Sequence, residues 1–213
     1  MKKSAIILAG GFSKRFGRDK GLVELAGKPL ILHVLDGISH VVNETIVVVS
    51  SSEQREAFEH LMSRRASVII DESEPHSPLI GALTGLKNTQ GEYSLLLPCD
   101  TPFISSEIAS FLLDLCINRN AVIPRWPNGY IEPLQAAYRT KPALVAAEKA
   151  LKQNKLDLRS MITNLKGVRY ISTMVLQSMD TKLLILFNIN TPEDLKKAEF
   201  MLKKLKNDDT VRY

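Results

Sequence analysis

Two short stretches carry the residues best suited to chemistry. Residues 6–21 read "IILAGGFSKRFGRDKG", an apolar run, a pair of glycines, and then Lys14, Arg15, Arg18 and Lys20 around a third glycine. Glycine lets a ligand approach the backbone where a Cβ would block it. Backbone N–H groups exposed in such a turn, together with cationic side chains, make a cradle for phosphate. An ordinary strand-to-helix turn with a solvated basic face would show the same residues, so the pattern leaves both open. Two familiar phosphate loops are excluded. Gly17 is followed by Arg18-Asp19 rather than the Lys-Ser/Thr of a P-loop, and Gly10-Gly11-Phe12-Ser13 does not supply G-x-G-x-x-G.

The second stretch, "LLLPCDTPFIS", puts Asp100 just beyond an apolar run and between Pro98 and Pro102. The prolines limit the backbone on both sides. A carboxylate there, beside a phosphate loop, is suited to Mg²⁺, which takes one or two protein carboxylates and fills its octahedron with phosphate oxygens and water. The other role open to Asp100 is a cap for the following helix. Cys99 has no histidine partner in the pattern and reads as a small buried neighbour, not a nucleophile. Cys99 and Cys116 form no disulfide framework and no zinc spacing. His33, His40, His60 and His76 are scattered without a metal-ligand relation.

The elements that must position these residues follow from periodicity. Strand-like runs "AIILA", "TIVVVS", "SVIID", "YSLLLP" and "NAVIP" alternate with helical patterns over 29–41, 53–65, 80–89 and 105–118. Such alternation predicts an α/β fold, a mostly parallel sheet with helices on both faces. Ligands of such sheets bind beyond the carboxyl ends of the strands, where strand order reverses. That singles out Gly10, Gly11, Ser50, Asp71 and Asp100. From residue 125 the rhythm changes: "RWPNGYIEPLQAAYRTKP" predicts turns and an antiparallel strand, with helices following at 141–152 and 158–164. The apolar run "KLLILFNIN" then leads into a helix opening at Thr191, with Pro192 at its first position.

The 213 residues, with no linker or repeat, predict one domain over 1–206 and a frayed tail over 207–213. A 45% hydrophobic and 24% charged composition is that of an ordinary globular protein, and no run approaches a membrane span. The apolar run after Lys2-Lys3 is too short for a signal peptide, so a cytoplasmic location is expected. The net charge of +5 raises the question of nucleic acid. The basic residues gather only in the first loop and in the amphipathic "LKKAEFMLKKLKN", however, and no nucleic-acid motif accompanies them. Small anionic ligands account for the first cluster more simply.

Taken together, the stretches resemble a known family. "LAGGFSKRFGRDKGLVELAGKPL" is similar to the signature L-A-G-G-x-S-x-R-M-G-x-D-K of nucleotidyltransferases, and within that superfamily to the molybdenum cofactor guanylyltransferases. "SPLIGALTGL", "PCDTPFI" and "FNINTPEDL" resemble three further blocks of that family, in the same order. The resemblance implies a single-domain, three-layer α/β/α, Rossmann-like nucleotide-diphospho-sugar transferase fold. It implies Mg²⁺, GTP and molybdopterin as substrates, pyrophosphate as by-product, and helper or target molybdoenzymes as protein partners. It implies that Leu8, Ala9, Gly10 and Gly11 meet the nucleotide by their backbone. Lys20 would touch phosphates, and Arg15 and Lys20 would offset charge on the leaving pyrophosphate. Asp100 would bind metal and nucleotide, and Asp71 would read guanine. Gly81, Asn188 and Asn190 would face the acceptor. Asp71 and the two asparagines also fit plain turn positions.

The chain departs from the family pattern in places. Ser50 stands where asparagine is usual, and Ser77 and Ile80 replace a glycine and an alanine. Alternatives within the fold are transfer from CTP and transfer to cobinamide phosphate or an isoprenoid alcohol phosphate. Outside it, the alternative is a non-catalytic basic nucleotide- or RNA-binding module.

Overall fold

A computed structural model of the chain describes residues 1–71 and 75–210, with backbone alone over 206–210. Its main sheet has seven strands: β1 (Lys3–Leu8), β2 (Glu44–Val49), β3 (Ser67–Ile70), β4 (Tyr93–Pro98), β5 (Ala121–Arg125), β6 (Ala136–Arg139) and β7 (Val168–Ser172). They lie in the order β7-β5-β6-β4-β1-β2-β3. β1 pairs in parallel with β2 and β4, β2 with β3, and β5 with β7, while β6 runs antiparallel to both β4 and β5. Chain order turns back between β1 and β4, so a crevice opens at their carboxyl ends. Gly10 and Asp100 lie just beyond those two ends.

Side-chain alternation along the strands builds two cores. Ala5, Ile7, Val47, Val49, Leu95 and Leu97 face one way, toward α1 (Leu30–Ile38), α2 (Ser52–Met62) and α4 (Ser106–Cys116). Ile6, Ile46, Val48 and Leu96 face the other way, toward α3 (Pro78–Asn88), α5 (Thr140–Lys152) and α6 (Leu158–Thr163). Strands buried on both faces read as continuous apolar runs, which is why the sequence shows them. The result is the expected single-domain three-layer α/β/α fold.

Helices end within a few residues of their predicted limits, and the structure adds elements the periodicity does not show. β7 is an edge strand with Arg169, Tyr170 and Ser172 exposed, and the seven-residue α7 (Thr173–Met179) follows it. The apolar run before the last helix makes one 3₁₀ turn (Leu184–Leu186) that buries Leu184 and Ile185. The glycine loop folds into a small hairpin, with Phe12 opposite Asp19 and Ser13 opposite Arg18. The last helix, α8 (Pro192–Thr210), anchors Ala198 in a third apolar cluster with Val23, Leu25, Leu30 and Ile189. Its helical backbone is described through residue 210. The remaining tail, 211–213, lies outside the described residues.

Candidate active site

The carboxyl ends of the three central strands are stitched together just where the site begins. The Ala9 amide donates to the Val48 carbonyl at 2.8 Å, and the Cys99 amide donates to the Leu8 carbonyl at 3.2 Å. Beyond them, the Ser50 hydroxyl donates to the Gly10 carbonyl at 3.0 Å. A Cβ on Gly10 would collide with that hydroxyl and press on the Ser50 backbone, so a larger residue there would break the bond that Ser50 makes. Ser50 therefore has a definite use: it fastens the end of β2 to the glycine turn.

A cavity of about 370 Å³ opens over this floor, lined by Gly10, Lys20, Ser50, Asp71, Gly81 and Asp100 among others. A second, of about 400 Å³, is lined by Tyr130, Glu132, Gln135, Asp157, Arg159 and Asn188. Pro78, Pro98, Leu134 and Asp100 line both, so Asp100 stands at the seam.

Lys20 and Asp100, 80 residues apart in sequence, meet here: the ammonium pairs with Asp100 Oδ2 and donates to Asn190 Oδ1 at 2.6 Å. Asp100 is 6% exposed, and its Oδ1 is buried with no hydrogen-bond partner among the described residues. An unsatisfied buried oxygen costs about 1–3 kcal/mol, more when charged, so such an atom calls for an explanation. An oxygen donor of this kind suits a hard cation. Among the described residues no cluster of three or more His, Cys, Asp or Glu side chains is placed to hold a metal. The one open carboxylate oxygen of Asp100 would fit Mg²⁺ of the sort that takes its other ligands from phosphate and water. Burial pushes the Cys99 thiol far up from its ordinary value, with the Asp100 charge adding to it. That thiol stays protonated and is no nucleophile.

Asp71 is buried, its amide donates to the Val49 carbonyl at 2.7 Å, and Thr84 on α3 donates its hydroxyl to Asp71 Oδ1 at 3.1 Å. Ser77 caps α3, accepting from the Ile80 amide at 3.2 Å, which gives the serine in place of glycine a structural use. The loop bearing the asparagines is tied down from two sides. The Ile189 amide donates to the Asp100 carbonyl at 3.0 Å, and buried Gln135 donates to the Ile185 carbonyl at 3.1 Å.

The residues singled out in the sequence fall into three groups. Leu8, Gly10, Gly11, Lys20, Ser50, Asp71 and Asp100 share the first cavity. Gly81, expected toward the acceptor, lines that first cavity and not the second, because it sits in the first turn of α3 beside Leu8. Asn188 lines the second cavity, while Asn190 meets Lys20. Two residues stand apart. Ala9 is fully buried with its amide committed to the sheet, and it lines neither cavity. Arg15 is exposed near the tip of the hairpin and also lines neither.

Sequence reasoning missed Thr84, Gln135, Tyr130 and Arg159. The one available signal was Gln135, a polar residue heading the apolar "AAY" of β6; its φ of +68° is a left-handed conformation rare outside glycine.

Comparison with known proteins agrees with this architecture. Residues 5–168 match the model of the MobA-like NTP transferase domain. The chain belongs to this family. It is thereby an enzyme of nucleotidyl transfer. A probable molybdenum cofactor guanylyltransferase of Pyrococcus horikoshii is 35% identical, over 92% of this chain and 98% of its own. Another from Methanosarcina mazei is 32% identical, over 91% of this chain and 88% of its own. Among solved structures, molybdopterin-guanine dinucleotide biosynthesis protein A from Archaeoglobus fulgidus superposes with a TM-score of 0.80. It is 30% identical, over 94% of this chain and 99% of its own. Among the described residues, no helix is long and apolar enough to cross a membrane.

Proposed function

We propose that the protein transfers GMP from GTP to the terminal phosphate of molybdopterin, releasing pyrophosphate. The observation that carries this reading is the meeting of Lys20 and Asp100 at the seam between two cavities. One cavity suits a nucleoside triphosphate and the other an acceptor, so the α-phosphorus lies between them. Names borne by relatives and by the similar solved structure point to the same pair of substrates.

An acceptor phosphate oxygen attacks the α-phosphorus in line, and the bond to the bridging oxygen of pyrophosphate breaks. The attacking phosphate is already anionic, so no side chain need remove a proton. The demands on the protein are positioning and charge neutralisation. Lys20 would follow the negative charge as it moves toward pyrophosphate. Mg²⁺ held at Asp100 would supply further neutralisation on the phosphate oxygens. Arg15, at the exposed hairpin, would take part only if that hairpin folds over bound triphosphate.

Asp71 favours guanine over cytosine or adenine. A carboxylate can accept from both N1–H and N2–H₂ of guanine, and the other two bases offer no such pair. The test is pyrophosphate release from GTP, CTP and ATP, each with and without molybdopterin. Release from GTP that requires molybdopterin is expected, with the preference for GTP eroded in Asp71→Ala. A preference for CTP would replace this reading with cytidylyl transfer. Release with cobinamide phosphate or an isoprenoid phosphate, and not with molybdopterin, would replace the acceptor.

A further inference from the structure

Asp19 belongs to the glycine-rich signature yet lines neither cavity. It is bound instead to Gln54, in the first turn of α2, a side chain only 8% exposed. Gln54 Nε2 donates to Asp19 Oδ1 at 2.6 Å, while Gln54 Oε1 accepts from the Ser50 amide at 2.8 Å. The amide orientation is forced, because a backbone N–H only donates and an ionised carboxylate only accepts. Ser50 in turn grips the Gly10 carbonyl. The chain of bonds Gly10–Ser50–Gln54–Asp19 thus closes the glycine loop on itself, from its entry after β1 to the residue before Lys20.

A second contact lies on the far side of Lys20. Phe58, one turn along the same face of α2, is fully buried, and a Cβ on Gly21 would sit 3.0 Å from its ring. Both neighbours of Lys20 are therefore held against α2, one by a hydrogen bond and one by packing. With its backbone fixed at two points, the Lys20 side chain spans the crevice to Asp100 and Asn190.

We infer that Gln54 and Asp19 form a clamp that sets the place of the Lys20 ammonium, making Gln54 a positioning residue of the transfer reaction. The inference rests on the role proposed above for Lys20. It also explains why the amide and not the ionised acid of the same shape occupies position 54: the amide accepts from Ser50 and donates to Asp19, and a carboxylate can only accept.

A reciprocal exchange tests it. In Gln54→Glu two carboxylates face each other, and kcat should fall roughly 100-fold, the scale of a misplacement of about 1 Å, with a smaller change in the KM for GTP. Asp19→Asn should stay close to wild type, since the asparagine oxygen still accepts from Gln54. The double variant, Asp19→Asn with Gln54→Glu, should recover most of the loss. Its new amide at position 19 would donate to the new carboxylate at position 54, which still accepts from the Ser50 amide. Hydrogen exchange of the amides of residues 10–22 should speed up in Gln54→Glu and slow again in the double variant.

Asp19→Asn as damaging as Gln54→Glu, with no recovery in the double variant, would overturn the clamp and mark Asp19 as a direct ligand of substrate or metal. A folded Gln54→Glu with wild-type kcat and only a lower Tm would also overturn it, leaving a purely structural bond. If the wild type fails to turn over GTP, the proposed reaction falls, and the exchange pattern alone still decides the clamp.

Discussion

In the first cavity the central polar side chains are bonded to the protein before any ligand arrives; in the second most of them lie open to water. Lys20, Asp100, Ser50 and Asp71 are each bonded to a group on another element, over a floor of buried strand ends. Across the seam, Tyr130, Asp157, Arg159 and Asn188 are exposed. Asp157 is occupied in capping α6, and the Arg159 guanidinium rests over the Tyr130 ring at 4.7 Å. Groups fixed in advance need no reorganisation as charge develops, which is what phosphoryl transfer demands. A wetter, looser surface suits binding of a polar acceptor more than chemistry. Substitutions in the first cavity should therefore cost turnover, and those in the second should cost acceptor affinity.

The sharpest break in that contrast is at the seam. Asp100→Asn keeps the shape and offers a neutral oxygen, a poor ligand for Mg²⁺. Turnover at saturating Mg²⁺ should fall by about 1,000-fold, the upper range for losing one preorganised electrostatic group, with the Tm little changed. Near-normal turnover would remove Asp100 from the chemistry and leave it a turn residue. Lys20→Ala should come next, lowering kcat by roughly 100-fold and raising the KM for GTP less, since its help grows in the transition state. A change in KM alone would make Lys20 a ground-state contact. Lys14→Ala, exposed near the hairpin tip, is the control and should change neither.

How much of this was legible in the sequence follows the same divide. Asp100 could be read because its setting is local: an apolar strand, then Pro98 and Pro102 around one carboxylate. Lys20 is one of four cations in the glycine loop, and the family resemblance, not the loop pattern, singles it out. Gln54 could not be read, because its partner lies 35 residues away and no local pattern marks it. Gln135 shows only as a polar residue at the head of an apolar strand, and its partner lies 50 residues away. Arg15 carries the charge of a phosphate ligand, but charge alone does not show that it sits exposed near the hairpin tip, outside the lining of both cavities. The parallel strands β1, β2 and β4 announced themselves by burial on both faces. β7 did not, because an edge strand that keeps Arg169, Tyr170 and Ser172 in water loses that signal.

The smallest expected effect lies farthest from the chemistry, at Tyr130. Its ring is 51% exposed and carries Arg159 over one face, so it contributes little to the core. Its use would be to hold the guanidinium toward the second cavity, where an acceptor phosphate has a cation to meet. An exposed cation–π contact contributes about 0.5–1 kcal/mol, so Tyr130→Ala should raise the KM for molybdopterin by about two- to fivefold. The KM for GTP and the turnover at saturating acceptor should stay where they were. Initial rates measured across a grid of both substrates separate these outcomes. A change confined to the acceptor KM would keep the two cavities functionally distinct. A matching change in the GTP KM would merge them into one binding surface and undo the contrast between their construction.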